Sequence, residues 1–75
     1  MNLINKKEIT ELKDLAGLII SRRKLLKLTQ EDLAGIAGIS LRSLKSIEAG
    51  EGNPGFNQLL KLMDVLGLKF SAENK

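Results

Sequence analysis

Cysteine and histidine are both absent from this sequence of 75 residues, and the two absences narrow its possible functions. Without cysteine the chain can form neither a disulfide framework nor a cysteine-containing zinc site, which favours a reducing, cytoplasmic environment. Without histidine it lacks the commonest general base and the commonest metal ligand among side chains. We therefore expect a protein that is not an enzyme, with no catalytic residue, no metal site and no cofactor.

Aromatic residues and long apolar runs are also scarce. There are two phenylalanines and no tyrosine or tryptophan, and the longest nearly apolar run covers only residues 15–20. That run is far shorter than the roughly 20 residues that span a bilayer, and the apolar start of the chain is too short for a signal-peptide core. The sequence therefore predicts one soluble domain. Its 43% apolar content implies either an unusually well packed monomer or apolar surface left for a partner.

The net charge of +3 is mild, so the positions of the charges matter more than their sum. One basic cluster covers residues 22–27, and Arg42 with Lys45 forms a second, while most acidic residues lie elsewhere. Cations are favoured near the C-terminus of a helix by its dipole. The first cluster is therefore explained equally well by a solvated helix end and by a surface that binds an anion.

Apolar residues recur at helical spacing through most of the chain, which predicts an all-α fold. The first helix is expected from about Thr10 to Leu26. Its start is open, because Thr10 or Asn5 could provide the N-cap and residues 4–9 could instead form an extended arm.

The segment LTQEDLAGIAGISLRSLKSIEAG predicts two short helices joined by a tight turn. Thr29, with Asp32 three residues later, has the spacing of a capping box at the start of a helix. Gly38 supplies the left-handed residue that commonly ends a helix, Ser40 can cap the next helix, and Gly50 stops it. The pattern is therefore helix, glycine turn, helix. We expect Leu33, Ala34, Ile36 and Ala37 on the inner side of the first of these two helices.

The second helix of this pair has an inner face formed by Leu44 and Ile47, so its other side is cationic, small and able to form hydrogen bonds. That outer side consists of Arg42, Ser43, Lys45, Ser46 and Ala49. A helix-turn-helix presents its second helix to the major groove of DNA, where arginine and lysine donate to guanine. The spacing alone equally allows an ordinary surface helix in a small bundle.

The sequence resembles the lambda-repressor-like helix-turn-helix domains, also called the Cro or XRE type, over residues 15–66. The resemblance is carried by the LTQEDLA segment, the AGIS turn, the SIEAG helix end, the NP pair in the next loop and LLKLMDVLG near the end. It implies a bundle of four or five helices that binds double-stranded operator DNA, in the cytoplasm and associated with the nucleoid of a bacterium or a phage-infected cell.

The same resemblance implies roles for individual side chains. The positions that read bases are Ser40, Leu41, Arg42, Ser43, Lys45 and Ser46. The positions that bind DNA phosphates are Arg22, Arg23, Thr29 and Gln30. Arg23 is also implied to form a structural ion pair with Glu48. This chain departs from the family at Leu41, where many relatives carry a polar amide, and at Glu51, where a cation is common.

A fourth helix is expected from Phe56, ended by Gly67, and the tail LKFS after it alternates apolar and polar residues as a β-strand does. Because a lone strand has unpaired backbone groups, a strand from a second copy could pair with it. We expect Leu68 and Phe70 at the interface of such a homodimer. The chain then divides into an N-terminal arm or helix extension (1–9), the helix-turn-helix domain (10–67) and a short strand with tail (68–75).

The upstream helix, repressor-like core and tail strand together resemble antitoxins of the HipB type. This resemblance implies an autoregulating repressor from a type II toxin–antitoxin pair, with a HipA-like kinase toxin as a further partner. Two alternatives remain at this point: a phage Cro-like or restriction–modification controller, and a protein-interaction module that does not bind DNA. The clustered cations argue against the module, because a protein-binding groove would be more apolar there.

Overall fold

The structure of the protein, a computed structural model, describes residues 8–74. Within that range the chain forms four α-helices: α1 (Leu12–Leu25), α2 (Gln30–Ala37), α3 (Leu41–Glu48) and α4 (Phe56–Leu66). α3 packs against both α1 and α2, while α4 closes the bundle against the same two helices. The prediction of an all-α helix-turn-helix bundle is confirmed. In this part of the chain, no helix combines the length and apolar character needed to cross a membrane.

The start of α1 differs from the expectation that Thr10 caps it. The N-cap is Glu11, and the Asp14 carboxylate accepts hydrogen bonds from the backbone N–H of Thr10 at 3.0 Å and of Glu11 at 3.2 Å. Thr10 donates its hydroxyl to the same oxygen at 2.9 Å. The Asp14 carboxylate therefore accepts from the backbone N–H of the N-cap and of the residue before it, an arrangement that starts the helix one residue later than a cap at Thr10 would. The alternative cap, Asn5, lies outside the described residues, and residues 8–10 are not helical.

The cap at the start of α2 and the turn between α2 and α3 both have the predicted geometry. Thr29 Oγ1 accepts from the backbone N–H of Asp32, and the Asp32 carboxylate accepts from that of Thr29, both at 3.0 Å. Gly38 ends α2 with φ +73°, a conformation that only glycine adopts cheaply. Ser40 Oγ then accepts from the backbone N–H of Ser43 at 3.0 Å and starts α3. The predicted caps and the predicted tight glycine turn, which is three residues long, are confirmed.

The core is wholly aliphatic apart from one methionine, and all four helices contribute to it. Its buried members are Leu15, Ile19, Leu33, Ala34, Ala37, Leu44, Ile47, Leu62, Met63 and Leu66. The expectation that Ile36 faces inward is wrong, since its side chain is 62% exposed. The inner side of α2 is centred among Leu33, Ala34 and Ala37, and at 3.6 residues per turn Ile36 lies roughly 100° away from that centre.

The tail after α4 has neither helix nor strand within residues 68–74. Leu68 packs against the core, and the ring of Phe70 lies 5.5 Å from that of Phe56, measured between centroids. Because a strand is defined by hydrogen bonds to a neighbouring strand, and residues 8–74 contain no second strand, the tail has no strand partner within the described part of the chain. Pairing of this tail with a second copy stays a prediction.

Candidate nucleic-acid interface

The outer side of α3 carries two cations that are not used inside the protein. Arg42 and Lys45 are both exposed. Neither side chain forms a hydrogen bond or an ion pair with another residue in the described range 8–74. Their side-chain N–H donors are therefore available to acceptors on another molecule.

The other predicted base-reading residues flank these cations, but most of their hydrogen-bonding groups already have partners. Ser40 donates its hydroxyl to Ser43 Oγ at 2.9 Å while it caps α3. Ser46 donates to the backbone oxygen of Glu51 at 3.3 Å. The Ser43 hydroxyl keeps its own proton to donate, and Leu41 is half-buried at the first position of the helix. The structure thus brings all six residues together on one helix and its cap, with Arg42, Ser43 and Lys45 the least committed.

Arg23 and Glu48 form the expected ion pair between α1 and α3. Arg23 donates Nε–H to Glu48 Oε2 at 2.8 Å and Nη2–H to Oε1 at 3.0 Å, and the two side chains are only 13% and 5% exposed. The hydrogen bond to the Glu48 carboxylate, with the attraction between the charges, raises the pKa of the Arg23 guanidinium despite its burial. The pair therefore fixes α3 to α1 by a bidentate contact that stays charged.

Two more contacts extend this pair to the start of α2. Arg23 Nη1–H donates to the backbone oxygen of Leu28 at 2.9 Å, and Gln30 Nε2–H donates to Glu48 Oε1 at 3.0 Å. All three guanidinium nitrogens thus donate to protein oxygens, and only two of the five N–H groups remain for the phosphate role that the resemblance implied. Gln30 retains a second N–H. Together with Thr29, it lies at the positive end of α2, a position suited to a phosphate.

Arg22 points away from this network, although it is adjacent in sequence. Its Nε–H and Nη2–H donate to the backbone oxygen of Leu66, at 3.0 and 2.9 Å. The side chain is therefore bound to the last residue of α4 and is not directed toward the outer side of α3. The structure does not place it with the other predicted phosphate ligands.

Sequence reasoning missed the surface opposite α3. An open groove of about 690 Å³ runs between Arg42, Ser43 and Ser46 on one side and, on the other, the loop before α4 together with the first turn of α4. Its second wall includes Asn53, Phe56, Asn57 and Gln58. No spacing rule links these amides to α3, because the loop that brings them there is irregular; the run NPGFNQ was the only signal. The groove places the side chains of Asn53, Asn57 and Gln58, together with Phe56, on the surface beside Arg42.

Comparisons with known proteins agree with this architecture. The helix-turn-helix family HTH_3 matches residues 19–72. Among solved structures, a HipA–HipB–O2–O3 complex contains a chain similar to this one, with a TM-score of 0.81 and 22% identity, covering 92% of this chain and 97% of that one.

Two further similar structures are a HipB–O4 20mer complex and a complex of a HipB variant with an O2 20mer. Their TM-scores are 0.80 and 0.82, at 22% and 21% identity, and they cover 92% and 93% of this chain and 97% of each matched chain. No curated protein sequence matches. At such identities the structural likeness concerns the fold.

Proposed function

The chain belongs to the helix-turn-helix family HTH_3, and from this premise we propose that it is a sequence-specific DNA-binding repressor of the HipB antitoxin type. One observation carries the proposal. Arg42 and Lys45 stand exposed on the outer side of α3 without a partner among residues 8–74, while the helix beneath them is fixed by Arg23 and Glu48. A rigid helix with free cationic donors is what reading of the major groove requires.

In this mechanism α3 enters the major groove and Arg42 donates to the edge of a guanine, with Lys45 and Ser43 on neighbouring bases or phosphates. Thr29 and Gln30, at the N-terminus of α2, bind the phosphate backbone and set the register. Glu48 holds both Arg23 and the Gln30 amide, so it couples the phosphate-binding end of α2 to the angle of α3.

A homodimer would give this reading its specificity. Two recognition helices about 34 Å apart would enter successive major grooves of a palindromic operator, and the bound protein would block the promoter. We propose that the tails pair across the two-fold axis, with Leu68 and Phe70 at the interface. Residues 69–72 make no backbone–backbone hydrogen bond to the rest of the described chain, so these groups are open to a second strand.

The toxin partner is the most distant step of the proposal. One similar structure is a complex of HipB with HipA, and this chain covers nearly the whole of the matched HipB chain. We propose that a HipA-like kinase toxin binds this protein and that the pair regulates its own promoter in the cytoplasm. In this role the protein itself would carry no enzymatic activity.

The test is fluorescence anisotropy of the purified protein with two labelled duplexes, its own upstream region and a scrambled sequence of equal length, at two salt concentrations. A preference for the native duplex that persists at physiological salt is expected, because nonspecific cationic binding weakens steeply with salt. Equal and salt-sensitive binding to both duplexes would contradict autoregulation by this protein.

A further inference from the structure

Arg22 contacts the point at which α4 ends and the tail begins. Two N–H groups of one guanidinium converge on the backbone oxygen of Leu66, the last residue of α4. The final carbonyls of a helix have no partner within the helix and carry the negative end of its dipole. The guanidinium therefore serves as a charged C-terminal cap supplied by a different helix, 44 residues earlier in the chain.

The same guanidinium lies beside Gly67, the residue at which the chain reverses direction. Gly67 has φ +71°, and after it the backbone N–H of Leu68 donates to the oxygen of Met63 at 2.8 Å. A Cβ added at Gly67 would lie 3.2 Å from Arg22 Nη2. The tail therefore leaves α4 through a glycine turn beside which the Arg22 guanidinium leaves little room for a side chain.

The far part of the tail is held at a second point. Phe70 packs on Phe56, the first residue of α4, so the tail runs back along the helix that it follows. These are the only two aromatic residues of the sequence, and they are 39% and 62% exposed instead of lying in the core. The tail is therefore held at its base by Arg22 and near its tip by Phe56, with Leu68 against the core between them.

We propose that Arg22 is a positioning residue for the tail, and that it strengthens dimerisation by fixing the tail's direction instead of binding a DNA phosphate. This inference rests on the proposed dimer. Two substitutions separate the alternatives. Arg22→Lys keeps the charge but loses the planar fork that reaches the Leu66 oxygen twice, whereas Arg22→Gln keeps an amide donor but loses the charge.

The experiment uses a reporter that the composition makes possible. Because the sequence has no tryptophan or tyrosine, Phe70→Trp introduces a single emitter in the tail. In that background, Arg22→Ala and Arg22→Lys are expected to shift the emission to longer wavelength at concentrations where the protein is monomeric. Sedimentation equilibrium is expected to show a dimer dissociation constant raised roughly tenfold by Arg22→Ala, from loss of a charge-assisted hydrogen bond. Arg22→Gln, which loses the charge as well as the fork, should change both quantities at least as much as Arg22→Lys.

Asp32→Ala is the matched control, because it weakens the start of α2 by removing hydrogen bonds that join only Thr29 and Asp32. It should lower the thermal midpoint without changing the emission or the dissociation constant. The proposal is overturned if Arg22→Ala leaves both unchanged and instead reduces the salt dependence of DNA binding. A chain that is monomeric in every variant would contradict the proposed dimer, and the emission of the tail tryptophan would still decide whether Arg22 positions the tail.

Discussion

Two pairs of cations, Arg22 with Arg23 and Arg42 with Lys45, look alike in the sequence but differ in what they contact. The first pair is bound to protein oxygens: Arg22 to the end of α4 and Arg23 to Glu48 and the start of α2. The second pair is exposed on α3 and has no such partner in the described part of the chain. One pair holds the bundle together, and the other is available to a ligand.

The comparison shows why a basic cluster cannot be assigned from charge alone. A guanidinium has five N–H donors and an apolar stem, so an arginine at the end of a helix can be drawn inward whenever a carboxylate or an unpaired carbonyl lies within reach. Whether such an acceptor lies there depends on residues distant in the chain. Exposure and hydrogen bonding to protein oxygens, and not proximity in sequence, distinguish the cations that stabilise the bundle (Arg22 and Arg23) from those available to bind a ligand (Arg42 and Lys45).

The largest effect is expected when the ion pair between Arg23 and Glu48 is broken. Arg23→Ala would leave the Glu48 carboxylate, 5% exposed, without its charged partner, at a cost of about 3 kcal/mol in the free energy of unfolding. For a small domain that is a large share of the total stability. Urea unfolding followed by circular dichroism at 222 nm measures the change.

Arg42→Ala is the matched control for that experiment, since the same guanidinium is removed from a solvent-exposed position. Its free energy of unfolding should stay within about 0.5 kcal/mol of the parent. Joint replacement, Arg23→Met with Glu48→Leu, should recover part of the loss, because it removes the uncompensated charge. Equal losses for Arg23→Ala and Arg42→Ala would show that the two pairs do not differ in the way the contacts indicate.

The same residues show how much of the structure could be predicted from the sequence. Caps set by spacings of three residues, such as Thr29 with Asp32 and Ser40 with Ser43, were predictable because donor and acceptor lie in one turn. The pairing of Arg23 with Glu48 spans 25 residues and came only from the family resemblance.

Two features of the structure had no local signal in the sequence. The contact from Arg22 to the Leu66 oxygen joins residues 44 apart and uses a backbone group that every residue possesses. The groove wall at Asn57 and Gln58 depends on the path of an irregular loop. Patterns within one helix are read from its period, whereas contacts between helices require the packing itself.

The second prediction concerns the cations that are free to bind. Arg42→Ala should cost about 1–3 kcal/mol in binding to the specific duplex, because a bidentate contact to guanine is lost, and should reduce the preference for it. Anisotropy titrations with the native and scrambled duplexes measure both quantities. Equal loss on both duplexes would reduce Arg42 to a phosphate contact and remove its assigned role in reading bases.

The third prediction concerns the contribution to stability of the hydrogen bonds between Thr29 and the exposed Asp32 carboxylate. The backbone N–H of Thr29, and then its hydroxyl, lower the pKa of the Asp32 carboxyl, although that group is exposed. A carboxyl whose pKa is lower in the folded state stabilises the fold at pH values above its unfolded-state pKa of about 3.9. That stabilisation is lost as the pH falls through the folded-state pKa. Asp32→Asn should therefore flatten the loss of stability in acid, measured by urea unfolding at several pH values.

Glu31→Gln, in the same first turn, is the control for this titration, since it removes a charge without removing the contact to Thr29. If the free energy of unfolding falls with decreasing pH in the same way for both variants, the pH dependence comes from the negative charge of the turn, and the hydrogen bonds of Asp32 add nothing.

The smallest effect is expected at Lys24, which is adjacent in sequence to Arg22 and Arg23. Unlike theirs, its side chain is exposed and donates no hydrogen bond to a protein oxygen in the described range. Lys24→Ala should leave stability unchanged and weaken binding to both duplexes alike. If the ammonium lies near a phosphate, the slope of log K against log salt should fall by about 0.9. An unchanged slope would make Lys24 a solvated helix end, favoured there by the dipole of α1, and would confine the DNA-binding cations to α3.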